Sequence, residues 1–413
     1  MADPTNTLSV SLTPITPGTP NIYDDKLQAA IDSAKAGGTA TQQYFDSANQ
    51  TADYWGWFTS TQGNGEDPWA PGTDPDGNPI EMSSNGNLDM RMGAFYRASA
   101  DGLTAEHLTG DGPPPIVGIA TIQTHNTTSN VSADITFGLG LTGIPAGIVL
   151  SKALFGDLIK PVYSNLKTAV GKLAETFKQE AEVTDPSIDP EDTAEDPLEE
   201  ASGVEEQIGG DLAEEGAEYL TIEWGSVVLE GAGLGAIMAI PMIVSFLGHK
   251  MINSVVINNL TDTDFEWQLL SQVHGKASVL PSPDSKNVIP KMDYNVDSWG
   301  DKTTVKVAYE AQFQFINSSD LGSIGYVLSL APTGGGKTAK VAVAVPWAGD
   351  NGMWVGSSDD DPGTIYEENT DPDGLLSKSA TFGDYTVTMG INALHGETEG
   401  AYFYGLIVAI EKA

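Results

Sequence analysis

Cysteine is absent from this chain, which rules out a disulfide framework, a thiol nucleophile and a thiolate-ligated metal site. Basic residues are scarce. Against 57 Asp and Glu stand 19 Lys and Arg, and the formal net charge of −38 repels nucleic-acid phosphates at long range. No nucleic-acid partner is expected. The five histidines are His107, His125, His249, His274 and His395, and no two fall at metal-ligand spacing on one predicted element. Neither Gly-x-Ser-x-Gly nor His-Glu-x-x-His occurs, so no catalytic constellation is complete. The expectation is a protein that is not an enzyme and uses no metal and no cofactor. Met1 to Asn6 also lack the basic and apolar regions of a secretory leader, so the chain is expected to be made as a soluble cytoplasmic protein.

The 413 residues suffice for two or three domains at roughly 100 to 200 residues each. Residues 1–21, rich in Pro, Thr and Ser, read as a flexible arm. From Asp24 the Leu27, Ile31, Ala34 spacing predicts a helix, interrupted at Gly37-Gly38 and leading into the aromatic run Tyr54-Trp55-Gly56-Trp57-Phe58. Gly, Pro, Asn and Asp dominate residues 60–115, which read as loops and short strands.

Two uncharged apolar segments dominate the centre, residues 135–151 and 231–248, each with a proline near its middle, Pro145 and Pro241. Both lie at the short end of the roughly 17 to 25 residues a spanning helix needs. Phe137, Leu139, Leu141, Ile144, Pro145, Ile148 and Leu150 in the first are read as membrane-inserting. So are Leu234, Ile237, Met238, Ile240, Pro241, Ile243 and Phe246 in the second. Their glycines suit close helix contacts in lipid. Between them, Leu158, Val162, Leu166 and Val170 recur at helical spacing, and an acidic linker occupies residues 180–203. Repulsion among the carboxylates from Glu180 to Glu218 is expected to raise some of their pKa values, which would make acidification a trigger for insertion.

After Ser254 the pattern changes to short strands rich in Val, Tyr, Phe and Thr. Eight are predicted, at 254–260, 265–272, 304–317, 324–331, 339–346, 352–356, 380–391 and 400–411. The fold class expected is therefore α+β and multidomain: a helical region with two apolar helices over 22–252, then an antiparallel β-sandwich over 253–413. Trp299, Trp347, Trp354 and Tyr366 lie near turns, where their rings would meet a lipid interface or stack on a sugar. Ala331 to Thr338 matches a relaxed phosphate-loop pattern, but the alternation Val341, Val343, Val345 that follows predicts a strand where that loop needs a helix. A hairpin turn is the better reading. Asp359-Asp360-Asp361 and Asp74-x-Asp76-x-Asn78 lack the closing Glu of a calcium loop and also read as turns.

Ser254-Val255-Val256-Ile257-Asn258-Asn259-Leu260-Thr261, Gly325-Tyr326-Val327-Leu328 and Val345-Pro346-Trp347 resemble the compact β-sandwich of aegerolysins and actinoporin-like lysins. The preceding helical hairpin resembles the plan of α-pore-forming toxins. These resemblances imply a pore-forming cytolysin that recognises a target lipid or glycan through its sandwich and assembles as a homo-oligomer. The competing expectation is a membrane-anchored, lectin-like or structural surface protein of a virion or envelope.

Overall fold

The structure, a computed structural model, describes residues 8–14, 19–48, 50–74, 77–96, 116–126, 132–142, 220–223, 251–279, 287–296, 304–317, 322–395 and 402–413, with helical residues at 159–160, 162–164, 166–167 and 170–171. About 52% of what is described is strand and 21% helix, in three sheets with five short helices. That balance corrects the expected helical N-terminal and central region: the described residues are mostly β.

The first sheet is built from the half expected to be helical. Its seven strands run in the order β3 (Ala70–Thr73), β4 (Pro79–Ser84), β5 (Leu88–Tyr96), β6 (Ile116–Asn126), β7 (Ser132–Thr142), β1 (Leu8–Pro14) and β8 (Leu220–Glu223). The pairing is antiparallel except at the edge, where β8 runs parallel to β1. Alternation in β5 explains which face is covered, since Leu88, Met90, Met92 and Ala94 are buried while Asp89, Arg91 and Phe95 are half-exposed. Helix α3 (Gln50–Gly63) brings the aromatic run inward as a cluster, with Phe58 edge-on to Trp55 and Trp69. The helical residues between 159 and 171, together called α4, bury Ile159, Val162, Tyr163, Leu166 and Val170. Tyr163 also closes the β4–β5 ladder: its hydroxyl accepts from the Ala94 amide at 2.7 Å and donates to the Pro79 carbonyl at 2.9 Å.

The other two sheets face each other across the main core. One has five strands in the order β12 (Val288–Ile289), β10 (Phe265–His274), β15 (Ile324–Pro332), β16 (Ala339–Val345) and β17 (Gly352–Gly356). The other runs β11 (Lys276–Val279), β14 (Thr304–Asn317), β9 (Met251–Asn259), β20 (Tyr402–Lys412), β19 (Tyr385–Ile391) and β18 (Ser377–Phe382), with β2 (Thr19–Ile22) and β13 (Asp293–Val296) also pairing β14. Side chains from both sheets interleave, including Val255, Phe313, Phe315, Leu406 and Val408 from one and Trp267, Tyr326, Leu328, Val341 and Val343 from the other. Trp267 stacks on Phe313 at 4.7 Å and Phe315 on Tyr326 at 3.9 Å. The expected antiparallel arrangement needs one correction, because β20 runs parallel to β9. Within the expected N-terminal arm, β1 joins the first sheet and β2 joins β14 in the third.

Helices cover the outer faces of this sandwich. Helix α1 (Asp25–Lys35) starts at Asp24, whose carboxylate accepts from the Lys26 and Leu27 amides, and buries Leu27, Ile31 and Ala34 against Ala308, Ile407 and Ala409. Gly37 and Gly38, at φ +82° and +68°, turn the chain into α2 (Thr39–Ala48). Two sheet glycines make room for this pair. A Cβ on Gly390 would lie 2.4 Å from the Ala34 carbonyl oxygen, and one on Gly405 would lie 2.3 Å from the Phe45 ring. Gly405→Ala is therefore expected to destabilise the fold by about 1–3 kcal/mol through overpacking, read as a lower urea midpoint. Helix α5 (Pro362–Asn369) caps the five-stranded sheet with Ile365 against Val327 and Ala342.

Candidate functional site

The first expected insertion segment does not form a helix where it is described. Ile135 to Thr142 belong to β7, which is paired on both sides, by β6 and by β1. Phe137, Leu139 and Leu141 occupy alternate positions of this strand, and Leu139 is buried in the fold. The reason is legible in the residues. Ile135, Phe137, Leu139 and Leu141 alternate with Thr136, Gly138, Gly140 and Thr142, a period of two, and paired glycines weaken a helix. Ile144, Pro145, Ile148 and Leu150 lie outside the described residues, as do Leu234, Ile237, Met238, Ile240, Pro241, Ile243 and Phe246 of the second segment and the acidic stretch 180–203. Among the described residues, no helix is long and apolar enough to cross a membrane.

The four candidate aromatics separate. Trp299 lies outside the described residues. Trp354 and Tyr366 pack with Leu270 around Ile365, where α5 meets its sheet, so their rings help to seat a helix. Trp347 stands apart at one end of the sandwich. There the Met251 end of β9 pairs with Asn317, the Asn317 amide donates to the Ser323 carbonyl at 2.8 Å, and the Trp347 amide donates to the Ser323 hydroxyl at 3.3 Å. Trp347 is half-buried against the core.

Nucleotide binding at Ala331–Thr338 lacks its scaffold. Leu330 and Ala339 pair directly across an antiparallel hairpin, so Lys337 sits in a strand-to-strand connection with no helix N-terminus to receive phosphate. Among the described residues, no cluster of His, Asp and Glu is arranged to hold a metal ion.

A cleft of about 90 Å³ opens on the face of the first sheet that carries Arg91, Gly93 and Phe95. Its polar walls are Asp74, Arg91, Thr121 and Gln123, and its apolar floor is Ile80, Gly93 and Phe95. Sheet register assembles it. Arg91 lies opposite Gln123 and Gly93 opposite Thr121 across the β5–β6 ladder, while Ile80 on β4 faces Gly93 from the other side. Gly93 sets the floor, for a Cβ there would meet Phe95 ring carbons at 2.7 and 3.0 Å, so the ring lies across the bare backbone of Gly93. Asp74 holds the rim: its carboxylate accepts from the backbone amide of Asn78 at 2.6 Å and from the side-chain amide at 2.8 Å. Of these residues only Asp74 stands out in the sequence, as part of a turn. The available signal was Arg91 itself, one of only two arginines in the chain, the other being Arg97.

A second polar cluster is closed to solvent. Glu310 on β14, 1% exposed, pairs in register with Asn258 of β9 and Thr19 of β2. Its carboxylate accepts from the Gln312 side-chain amide, and the Asn21 side chain and the Tyr44 hydroxyl of α2 lie close enough to lower its pKa. Burial pushes its pKa up to about 7, a rise that these donors oppose. Facing groups reach it from β2, β9, β14 and α2. Its arrangement suits a clamp that seats α2 and β2 on the sheet, not a reacting centre.

No protein-family model and no curated protein matches the chain.

Proposed function

We propose that the chain is a membrane-acting protein whose β-rich body recognises a target surface and whose 231–248 run enters the bilayer. One observation carries this reading. After the run come only His249 and Lys250 before Met251 starts β9, and the hydrogen bonds through Asn317 and Ser323 put Trp347 at that same end of the sandwich. An uncharged 18-residue run and an amphipathic indole beside its exit are the pairing expected at a membrane interface.

The insertion element differs from the paired helices expected from the sequence. With Ile135–Thr142 held in β7, residues 143–151 are too few to span a bilayer, which needs about 20 apolar residues. One span remains, which favours attachment of a surface protein over insertion of a helical hairpin. Pore formation then requires several copies. Gly231, Gly233 and Gly235 favour that second reading, because small residues let helices pack closely in lipid.

Flotation with phosphatidylcholine vesicles tests the proposal. The full chain is expected to rise with the vesicles. Ile237→Asp with Ile240→Asp should lower the bound fraction at least tenfold, since each aspartate costs about 2.5–3.5 kcal/mol at a helix centre. Equal flotation of both proteins, or none of either, would show the reading to be wrong. Dye release accompanying flotation indicates a pore, and flotation without release indicates an anchor.

A further inference from the structure

We propose that the cleft on the first sheet binds a neutral saccharide. This rests on the surface-recognition reading above and names its ligand class and site.

A free anion is disfavoured, because the approaching ligand meets a net charge of −38 and an aspartate stands at the rim. A cation would face the Arg91 guanidinium at close range. A neutral ligand avoids both penalties. The lining sets donors beside acceptors: Arg91 carries a planar guanidinium fork, Asp74 a carboxylate that also accepts from Asn78, Gln123 an amide and Thr121 a hydroxyl. A sugar ring presents a fringe of hydroxyls that match such a set. It also has an apolar C–H face, and the Phe95 ring spread over Gly93 provides a flat surface for it.

The size sets the mode of binding. At about 90 Å³ the cleft is well below the roughly 300–1,000 Å³ of enclosed ligand pockets. It accepts one face or edge of a ring and leaves the remainder in water. A single shallow site binds weakly, and useful avidity comes from several copies meeting a surface that displays many glycans.

Saturation-transfer NMR on the full chain, with a panel of methyl glycosides of glucose, galactose, mannose, N-acetylglucosamine and N-acetylgalactosamine, tests the assignment. At least one neutral sugar should receive saturation and should compete with its own oligomers. Phe95→Ala should weaken that binding at least tenfold. Arg91→Lys, which keeps the charge and removes the fork, should weaken it severalfold. Gly93→Ala is an independent probe, because it displaces the Phe95 ring without removing it. Transfer to none of the sugars overturns the proposal. So does binding that all three folded variants retain, or preferential binding of inorganic phosphate or sialic acid. Flotation on sugar-free phosphatidylcholine vesicles separates the two ideas. Flotation without sugar binding defeats this inference alone, whereas sugar binding without flotation defeats membrane insertion alone.

Discussion

Replacing Glu310 by glutamine is expected to stabilise the protein at pH 8 by about 3 kcal/mol and to leave it nearly unchanged at pH 4.5. The carboxyl pKa is raised from 4.5 to about 7 in the folded chain, and 2.5 units at about 1.36 kcal/mol each sets the scale. Its direction follows from proton counting. Between those two values the folded state holds a proton that the unfolded state has released, so unfolding gives off a proton and rising pH promotes it. Stability in the native protein therefore falls from about pH 4.5 to pH 7 and is level above. Glutamine has nothing to release. It retains hydrogen-bonding capacity toward Asn21, Gln312 and Tyr44, whose hydroxyl is itself held neutral, its pKa raised well above the usual value by burial and by the Glu310 charge. Urea unfolding of both proteins at pH 5 and pH 8 measures the difference. Parallel pH dependence in the two would show that Glu310 titrates normally.

The largest single loss of stability is expected from Phe315→Ala, about 3–5 kcal/mol. Phe315 is fully buried on β14, and its ring lies 3.9 Å from that of Tyr326 on β15 with an angle of 12° between their planes. The stack therefore spans the two sheets of the sandwich. Truncation leaves a cavity between them, and it also strands Tyr326, whose hydroxyl donates to Asn253 at 2.5 Å and so cannot follow the shrinking neighbour. Close packing allows little relaxation there. Phe315→Leu, which fills most of the space, should cost less than half as much. A lower urea midpoint with an unchanged slope is the diagnostic result.

Strand positions in the second half were readable because alternation and β-branched residues carry them. The predicted 304–317 and 352–356 coincide with β14 and β17, and the predicted 380–391 begins three residues late and is divided by the turn at Gly383-Asp384 into β18 and β19. The parallel partnership of β9 and β20 was not readable. It joins residues about 150 positions apart, and no local pattern encodes which strand lies beside which. In the first half the failure had a different origin. Lack of charge in Ile135–Thr142 describes burial in either conformation, and only its period of two distinguishes strand from helix. Glu310 looks destined for water, yet β2 and Tyr44 of α2 lie over it, because burial there is decided by elements from the far end of the chain. The cleft was hidden for a related reason: Asp74, Arg91 and Thr121 sit on separate strands or turns and converge only through register.

The side-by-side, same-direction placement of β9 and β20 has a mechanical meaning. If the bilayer holds the chain just ahead of Met251 while something tugs on its carboxyl end, the tension slides these two strands past one another lengthwise. All nine of their matched residue pairs, Met251 with Tyr402 through Asn259 with Ile410, then share the load together, and none can be peeled off singly. Such a joint resists traction far better than a zipper of equal length.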